Sequence, residues 1–339
     1  MMNIKEWMRN AMESPRRFTI PIMTNPGIEL CGQTVTKAVT DGQIHYEAIR
    51  KLNEIYPADA STAIMDLTVE AEAFGAAIRF SEDEIPTVIG RLLTDYQSVL
   101  DLDVPSLEKG RVKEYLKANR LTTACIKDKP VFGGCIGPYS LAGRLFDMTE
   151  MMMAIYTEPE TVTLLLEKCT AFIINYCQGM KDAGVNGVIL AEPAAGLISN
   201  EDCLLYSSKY VKQIVEAVQD DYFMVVLHNC GNTGHCTEAM IATGAMGYHF
   251  GNKADMLEAL KQCPANVLVM GNLDPVGLFK MAGRAEVKQA TAALLDATSA
   301  YPNFVLSSGC DIPPQIPAEN IEAFYEAVNE YNATRVKQS

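Results

Sequence analysis

Short apolar runs alternate with longer amphipathic stretches along most of the chain. In the amphipathic stretches apolar residues recur every three or four positions, which predicts helices, whereas the short runs are bounded by turn residues and predict strands. This alternation is typical of repeated βα units built around a parallel sheet. Eight strands are predicted, over residues 20–25, 61–66, 130–137, 187–193, 224–230, 247–252, 267–272 and 304–310.

Helical patterns fill the intervals between these strands. Gly184 is typical of a helix end, and the Pro-Ala-Glu-Asn sequence that starts at Pro317 is typical of a helix start. A further helix is predicted before the first strand, over residues 3–14, where it would close the floor of a barrel or pack on its side. The other predicted helices cover residues 161–184, 208–220, 255–263, 286–301 and 318–332.

Eight strand and helix units in a chain of 339 residues predict one domain over residues 1–339, an α/β fold of the TIM (β/α)8 barrel type. An open, doubly wound sheet is the alternative. Its phosphate-binding signatures, GxGxxG after the first strand or GxxxxGK followed by Ser or Thr, are not found in the sequence, so the barrel is favoured. The interval 67–129 is predicted to be an insertion or a lid, with more than one helix and a short hairpin near residues 76–80.

Polar residues follow the predicted strands at the point where each apolar run stops. In a TIM barrel the carboxyl ends of the strands carry the chemistry, so these residues are candidates for a site. They are Asn25, Asp66, Glu192, His228, Cys230, Asn252, Asn272, Asp274, Cys310 and Asp311.

His228 and Cys230 are the most specific of these candidates. Residues two apart on a strand point to the same face, so both side chains can bind one metal ion. Cys310 ends the eighth predicted strand, which lies across the barrel from the fifth. One imidazole and two thiolates with an open position are typical of catalytic zinc. The alternative is that the cysteines are small core residues and His228 a polar core residue.

The remaining histidines give weaker signals. His235 and Cys236 are predicted to lie in the helix after the fifth strand, and His45 in an amphipathic helix. His249 ends a predicted strand, where it could line the cavity or serve the structure alone.

Composition and charge exclude several classes of function. The formal charge of −14 opposes binding to a phosphate backbone, which requires a basic surface. No run of about 18 apolar residues predicts a membrane span, and the N-terminus lacks the apolar core of a secretory signal. A cytoplasmic protein is therefore predicted. In a reducing compartment the ten cysteines are interpreted as core residues and a few thiolates, and not as a disulfide framework.

A zinc ion with an open position could act in two ways. It could hold a substrate thiol as thiolate, which is the nucleophilic form, or it could bind water and support hydrolysis. Because two thiolate ligands already donate charge to the ion, bound water would be less acidic, which favours thiol activation.

Several motifs together resemble one known family. They are "GGCIGPYSLAGRLFD" (133–147), "AEPAAG" (191–196), "MGNLDPVGLF" (270–279) and "GCDIPPQIPAENIEAF" (309–324), and they occur in the right order over nearly the whole chain. The chain resembles the uroporphyrinogen decarboxylase superfamily, which implies a TIM barrel.

The chain departs from the decarboxylases of that superfamily at several positions. Asp66 matches the decarboxylase aspartate that contacts the pyrrole nitrogens, and Tyr156 matches its tyrosine. However, the stretch "PIMTNPGIEL" (21–30) lacks the paired arginines that bind the porphyrinogen carboxylates. In addition, Pro193 replaces the expected serine and Cys310 replaces the expected histidine.

The departures resemble the other branch, the methylcobalamin:coenzyme M methyltransferases. That resemblance implies Zn2+ on His228, Cys230 and Cys310, a small thiol substrate, and a methylcobalamin or corrinoid methyl carrier on a separate corrinoid protein. Glu192 is then expected to be a fourth ligand or the base that takes the thiol proton.

Other expectations concern the pocket and the alternatives. Asp66 is a candidate catalytic residue, and Asn25, Tyr139, Tyr156 and Asn272 are candidates for binding substrate. Two alternatives to methyl transfer stay open: a decarboxylase acting on a porphyrinogen or smaller acid, and a non-catalytic barrel that binds corrinoid or thiol. The decarboxylase relatives also suggest a homodimer.

Overall fold

The computed structural model describes residues 2–336, which form a curved seven-stranded sheet surrounded by helices, and a separate two-stranded sheet. The strands are β1 (Ser61–Thr62), β2 (Ala77–Arg79), β3 (Thr87–Ile89), β4 (Val131–Ile136), β5 (Gly187–Ala191), β6 (Met224–Asn229), β7 (Gly247–Phe250), β8 (Leu268–Leu273) and β9 (Phe304–Ser308). The helices are α1 (Ile4–Glu13), α2 (Asn25–Leu30), α3 (Val35–Thr40), α4 (Gly42–Ile55), α5 (Val69–Phe74), α6 (Tyr96–Leu100), α7 (Val112–Cys125), α8 (Pro138–Phe146), α9 (Met148–Thr157), α10 (Pro159–Asp182), α11 (Asn200–Cys203), α12 (Lys209–Val218), α13 (Thr237–Ile241), α14 (Met256–Gln262), α15 (Arg284–Ala297) and α16 (Ala318–Val336). A 3-10 turn covers Pro193–Leu197 and a π-helical turn covers Leu204–Ser208.

Seven of the strands pair in parallel in the order β1-β4-β5-β6-β7-β8-β9. Each pair is joined through helices on the outside, which is the connection that parallel neighbours require. The predicted TIM-type α/β barrel is confirmed, and the carboxyl ends of all seven strands open on the same rim.

The predicted strand over residues 20–25 is wrong, although this segment occupies the eighth position of the barrel. Thr19, just before the segment, makes one isolated parallel bridge with Leu306 on β9, and its carbonyl oxygen accepts from the amide of Asp59 before β1 at 2.9 Å. Pro21 has no N–H to donate and therefore interrupts a ladder. The chain then turns into α2, so Asn25 begins a helix instead of ending a strand.

The helix α1 closes the floor of the barrel. Its N-cap Asn3 accepts from the Glu6 amide at 2.9 Å, and the buried Ile4 and Met8 pack against the interior residues of the strands. Trp7 adds an edge contact to Phe132 of β4, with ring centroids 6.2 Å apart. Apolar contacts therefore close the lower end of the barrel, and a site open to substrate is expected at the opposite end, where the strands have their carboxyl ends.

The interval 67–129 contains helices α5, α6 and α7 and an antiparallel hairpin in which Ala77 pairs with Ile89. No helix within residues 2–336 has the length and apolar character needed to cross a membrane.

Glu70 on α5 is a buried carboxyl that ties this interval to the barrel. Its Oε1 accepts from the Ile136 amide at the end of β4 at 3.0 Å, and burial raises the pKa of Glu70 to about 8. The folded protein therefore holds a proton here that the unfolded chain releases above its ordinary pKa of 4.5, so this contribution to stability is lost as the pH rises.

We expect the Glu70→Gln variant to gain stability relative to the wild type as the pH rises from about 4.5 to about 8. Glutamine keeps the acceptor for Ile136 and carries no ionisable group. Urea unfolding at a series of pH values measures the difference. A difference that stays constant over this range would contradict the assignment.

Candidate metal centre

The strand β6 delivers two of the three predicted ligands to the rim. The Met-Val-Val-Leu run before His228 is fully buried, and inward-facing residues alternate along it, so the imidazole points into the barrel. The chain then turns at Asn229, whose Oδ1 accepts from the amides of Gly231 and Asn232 at 3.0 Å each. This turn fixes the backbone that carries Cys230.

The third predicted ligand follows β9, which lies three strands from β6 in the sheet. Cys310 follows β9, and the amide of its neighbour Gly309 donates to the carbonyl of Leu273 at 2.6 Å. The ligand atoms of His228, Cys230 and Cys310 all lie within 4.8 Å of one another. The structure thus brings together side chains that are 80 residues apart in the sequence (310 minus 230).

One buried nitrogen in this cluster, Nε2 of His228, is free to bind a metal ion. The ring of His228 is 3% exposed, and its Nδ1 lies 2.8 Å from Nδ1 of His249. Its Nε2 has no hydrogen-bond partner among residues 2–336. A buried polar atom without a partner is costly unless it binds something absent from the protein itself. An imidazole nitrogen beside two sulfurs is a donor set that zinc prefers, so the residues fit this ion.

The two thiols lie close enough to affect each other's acidity. Interaction with Cys310 lowers the pKa of Cys230 to about 7, whereas interaction with Cys230 together with burial raises the pKa of Cys310 to about 12. A bound cation would favour the thiolate form of both, since metal ligands bind deprotonated.

Glu192 lies beside the cluster but is not one of its members. Its amide donates to the carbonyl of His228 at 2.8 Å, and the carboxylate oxygens accept from Ser140 N at 3.1 Å and Ser207 Oγ at 3.0 Å. The side chain is 1% exposed, and this burial raises the pKa of Glu192 to about 7 despite the hydrogen bonds. A carboxyl of this kind can take up and release a proton near neutral pH.

Asp66 belongs to a different set of contacts. Its Oδ2 forms a buried ion pair with Arg111 of the insertion and accepts from Tyr115 OH at 3.3 Å. Its Oδ1 accepts from the amide and the hydroxyl of Thr68, at 2.9 and 2.7 Å. Both oxygens already have protein partners, and a catalytic role for Asp66 stays a prediction.

The four predicted substrate-binding residues occupy different environments. Tyr139, in the first turn of α8, is buried, and its hydroxyl has no partner in the described part of the chain. Asn25 donates to the Ile312 carbonyl at 2.9 Å, close to Cys310 in sequence, and its buried Oδ1 likewise lacks a partner within residues 2–336. These two present free polar atoms.

Asn272 and Tyr156 are engaged elsewhere. Asn272 donates to the carbonyls of Gly251 and Ala254 at 2.9 and 2.7 Å, which fastens the loop after β7. Tyr156 is 70% exposed and donates to Asp202 at 2.6 Å on the outer surface. Substrate contacts by these two residues stay predictions.

The structure corrects the expectation for His235 and Cys236 and confirms the helix expected at His45. His235 and Cys236 precede the short helix α13 instead of lying in it, because Asn232 Oδ1 accepts from the amides of Gly234 and Cys236 and holds the chain in a turn. His45 is buried in α4, where its Nε2 accepts from the Ile64 amide at 3.0 Å, and so serves the structure.

A close backbone contact positions Cys230. A Cβ atom built on Gly251 would lie 2.7 Å from Cys230 Cα and 2.8 Å from its carbonyl oxygen. We expect Gly251→Ala to displace this ligand, to lower zinc affinity, and to cost about 1–3 kcal/mol in the free energy of unfolding. Zinc competition and urea unfolding measure both effects. Gly283→Ala is the matched control, since its Cβ would meet only Glu286 Oε2, at 3.6 Å; equal zinc affinity in both variants would refute the prediction.

Comparison with known proteins decides the family. The sequence profile described as uroporphyrinogen decarboxylase (URO-D) matches residues 21–331. The chain belongs to the uroporphyrinogen decarboxylase family. Within the family it is 30% identical over 270 residues to the methylcobamide:CoM methyltransferase MtbA of Methanosarcina acetivorans, covering 78% of each chain. It is also 28% identical over 285 residues to the uroporphyrinogen decarboxylase of Legionella pneumophila strain Lens, covering 81% of this chain and 79% of the relative.

A solved structure supports the same family fold. A methyltransferase from Methanosarcina mazei superposes with a TM-score of 0.87 at 21% identity, covering 98% of this chain and 99% of the other. The chain is thus a uroporphyrinogen decarboxylase family enzyme with methyltransferase relatives, as the sequence motifs predicted.

Proposed function

We propose that this family member is a zinc-dependent methyltransferase that moves a methyl group between a corrinoid and a thiol acceptor. The observation that carries the proposal is the cluster of His228, Cys230 and Cys310, together with the buried Nε2 of His228 that has no partner among residues 2–336. The 30% sequence identity to a methylcobamide:CoM methyltransferase supports the same reaction class.

His228 Nε2 and the sulfurs of Cys230 and Cys310 would hold the zinc ion. Zinc bound there would supply a Lewis acid that lowers the pKa of the acceptor thiol. Neutral imidazole together with two cysteines leaves room in the cluster for an acceptor sulfur, because three protein ligands are the usual number at a catalytic zinc.

Of the two roles expected for Glu192, we propose that of proton acceptor. Its oxygens are not among the atoms that cluster within 4.8 Å, and its pKa of about 7 suits proton transfer at neutral pH. The thiol proton passes to Glu192 Oε2, which Ser207 orients. The sulfur electron pair then forms the bond to the methyl carbon, and the cobalt–carbon bond breaks with its electron pair left on cobalt.

We expect Glu192→Gln to lower methyl transfer by about 10²–10⁴-fold while zinc content stays at the wild-type value. Glutamine retains one acceptor, for the Ser140 amide, and can donate its NH2 to the Ser207 hydroxyl, but it cannot take a proton. Elemental analysis and the rate of transfer from methylcobalamin measure the two effects. Zinc loss in this variant would instead support the fourth-ligand role.

The proposal is tested by mixing the purified protein with methylcobalamin and a panel of small thiols, and identifying S-methyl products by mass spectrometry. Methylation of at least one thiol by the wild type, and none by a His228→Ala variant, is expected. Turnover of a porphyrinogen with release of CO2, and no thiol methylation, would overturn the proposal in favour of the decarboxylase alternative. Binding of corrinoid or thiol without turnover would overturn it in favour of a non-catalytic barrel.

The acceptor and the methyl carrier define the expected partners. A free corrinoid is sufficient for the assay, and we propose that a separate corrinoid protein carries it in the cell. The identity of the thiol follows from the panel.

A further inference from the structure

A chain of three hydrogen bonds extends from the candidate metal centre across the interior of the barrel. His228 on β6 and His249 on β7 are directly paired in the parallel register, and their Nδ1 atoms lie 2.8 Å apart. His249 Nε2 lies 2.8 Å from Ser307 Oγ on β9. Ser307 Oγ in turn donates to the carbonyl of Ile20 at 2.7 Å. The hydrogen bonds therefore connect β7 directly to β9 without involving β8, and they end at a backbone carbonyl, which can only accept.

The protons available along these three hydrogen bonds determine which nitrogen of each imidazole ring is protonated. A carbonyl oxygen only accepts, so the single hydroxyl proton of Ser307 is used on Ile20 O. Ser307 Oγ must then accept from His249 Nε2–H. In a neutral ring this leaves a lone pair on His249 Nδ1, which accepts from His228 Nδ1–H. His228 is consequently left with a lone pair on Nε2, the atom that has no partner among residues 2–336.

We propose that His249 and Ser307 are positioning residues that hold His228 in the tautomer able to bind the metal. The inference rests on the proposed zinc site and deepens it. The opposite arrangement, with the proton between the rings on His249, requires either two acceptors facing each other at Ser307 or a fully buried imidazolium. The His249 side chain is completely buried, and within residues 2–336 no carboxylate hydrogen-bonds to it to balance such a charge.

These hydrogen bonds affect metal binding because a histidine side chain in water prefers its proton on Nε2. In that form the nitrogen facing the two cysteines would be a donor and could not bind a cation. The hydrogen bonds to His249 and Ser307 reverse this preference before any metal arrives. Partners of this kind orient ligands in zinc sites, and their loss lowers metal affinity by about 10–100-fold.

The test uses Ser307→Ala and His249→Phe variants, with Ser308→Ala as the matched control. Ser308 is an equally buried neighbour on the same strand, and its hydroxyl hydrogen-bonds to the backbone of Ile22 and to no histidine in the described part of the chain. The chain has four histidines, so long-range 1H–15N correlation spectra of histidine-labelled, metal-free protein can assign the His228 ring by comparison with His228→Ala. The zinc Kd is measured separately by competition with a chromophoric chelator.

We expect the metal-free wild type and Ser308→Ala to show His228 protonated on Nδ1 and His249 protonated on Nε2. In Ser307→Ala the His228 signal should shift toward the Nε2–H form, and in both test variants the zinc Kd should rise about 10–100-fold. Ser307→Thr, which retains a hydroxyl, should restore the wild-type spectrum. Circular dichroism identifies any variant that fails to fold, and Ser307→Ala alone then decides.

A wild-type His228 protonated on Nε2, or Ser307→Ala and His249→Phe with the zinc Kd of Ser308→Ala, would overturn the inference. Both measurements are made without corrinoid or thiol. A protein that shows the expected tautomer and affinities but methylates no thiol would therefore retain the positioning role while the proposed reaction fails.

Discussion

Replacing Cys310 by alanine is expected to remove zinc from the protein and to lower methyl transfer by roughly a thousandfold or more, which corresponds to about 4 kcal/mol. Cys310 is one of only three residues in the cluster within the described chain, and its sulfur approaches both other ligand atoms within 4.8 Å. Two remaining ligands bind zinc much more weakly than three, because structural and catalytic sites use at least three protein ligands. Elemental analysis and single-turnover transfer from methylcobalamin measure the two losses.

The control for this prediction is Cys31→Ala. Cys31 is half-buried like Cys310 but lies at the end of α2 outside the cluster, so its loss should leave zinc content and transfer unchanged. If Cys310→Ala keeps one zinc per chain and full activity, Cys310 is not a ligand and the proposed site is wrong.

Replacing Asp66 by alanine is expected to destabilise the fold by about 3 kcal/mol, the lower end of the cost of breaking a buried ion pair. Arg111 and Asp66 have side chains that are 6% and 0% exposed, so removal of the carboxylate leaves the guanidinium charge buried. The lower end applies because Glu72 still pairs with Arg111 Nε. Urea unfolding measures the loss.

Two further variants separate stability from catalysis at this position. Glu258→Ala breaks the exposed pair with Lys261 and should leave the unfolding midpoint unchanged, since surface pairs contribute little. Asp66→Asn keeps the acceptor for Thr68 and removes the charge that pairs with Arg111. A folded Asp66→Asn protein with wild-type transfer is expected if the residue serves the insertion, whereas loss of transfer at retained stability would establish the catalytic role.

Local sequence was sufficient to predict the barrel and the proximity of His228, Cys230 and Cys310. The buried run before His228 and the i, i+2 spacing to Cys230 are local features, and strand ends in a parallel barrel meet on one rim. Cys310 could be predicted to lie near His228 and Cys230 because it ends a similar apolar stretch. The failure at residues 20–25 has a local cause too, since Pro21 and the helix that starts at Asn25 outweigh the apolar pattern.

Residues that act through tertiary contacts were not predictable in the same way. His249 was left between two interpretations because the role proposed for it depends on the register of β6 with β7 and on Ser307 two strands away. Asp66 matched a catalytic position, yet its partner Arg111 comes from the insertion, where no periodic pattern pairs the two. Burial of Glu192 could not be inferred from a strand end, although burial sets its pKa.

The cytoplasmic location and the homodimer stay predictions from the sequence. Cell fractionation and light scattering of the purified protein test them, and neither alters the chemistry assigned to the cluster.

Zinc-edge X-ray absorption of the purified protein, before and after addition of the thiol that is methylated, tests the central claim most directly. The predicted spectrum has two sulfur ligands at about 2.3 Å together with imidazole nitrogen, and the sulfur number rises to three when the thiol is added. Protein without zinc, or a sulfur number that stays constant on addition of that thiol, would contradict the account.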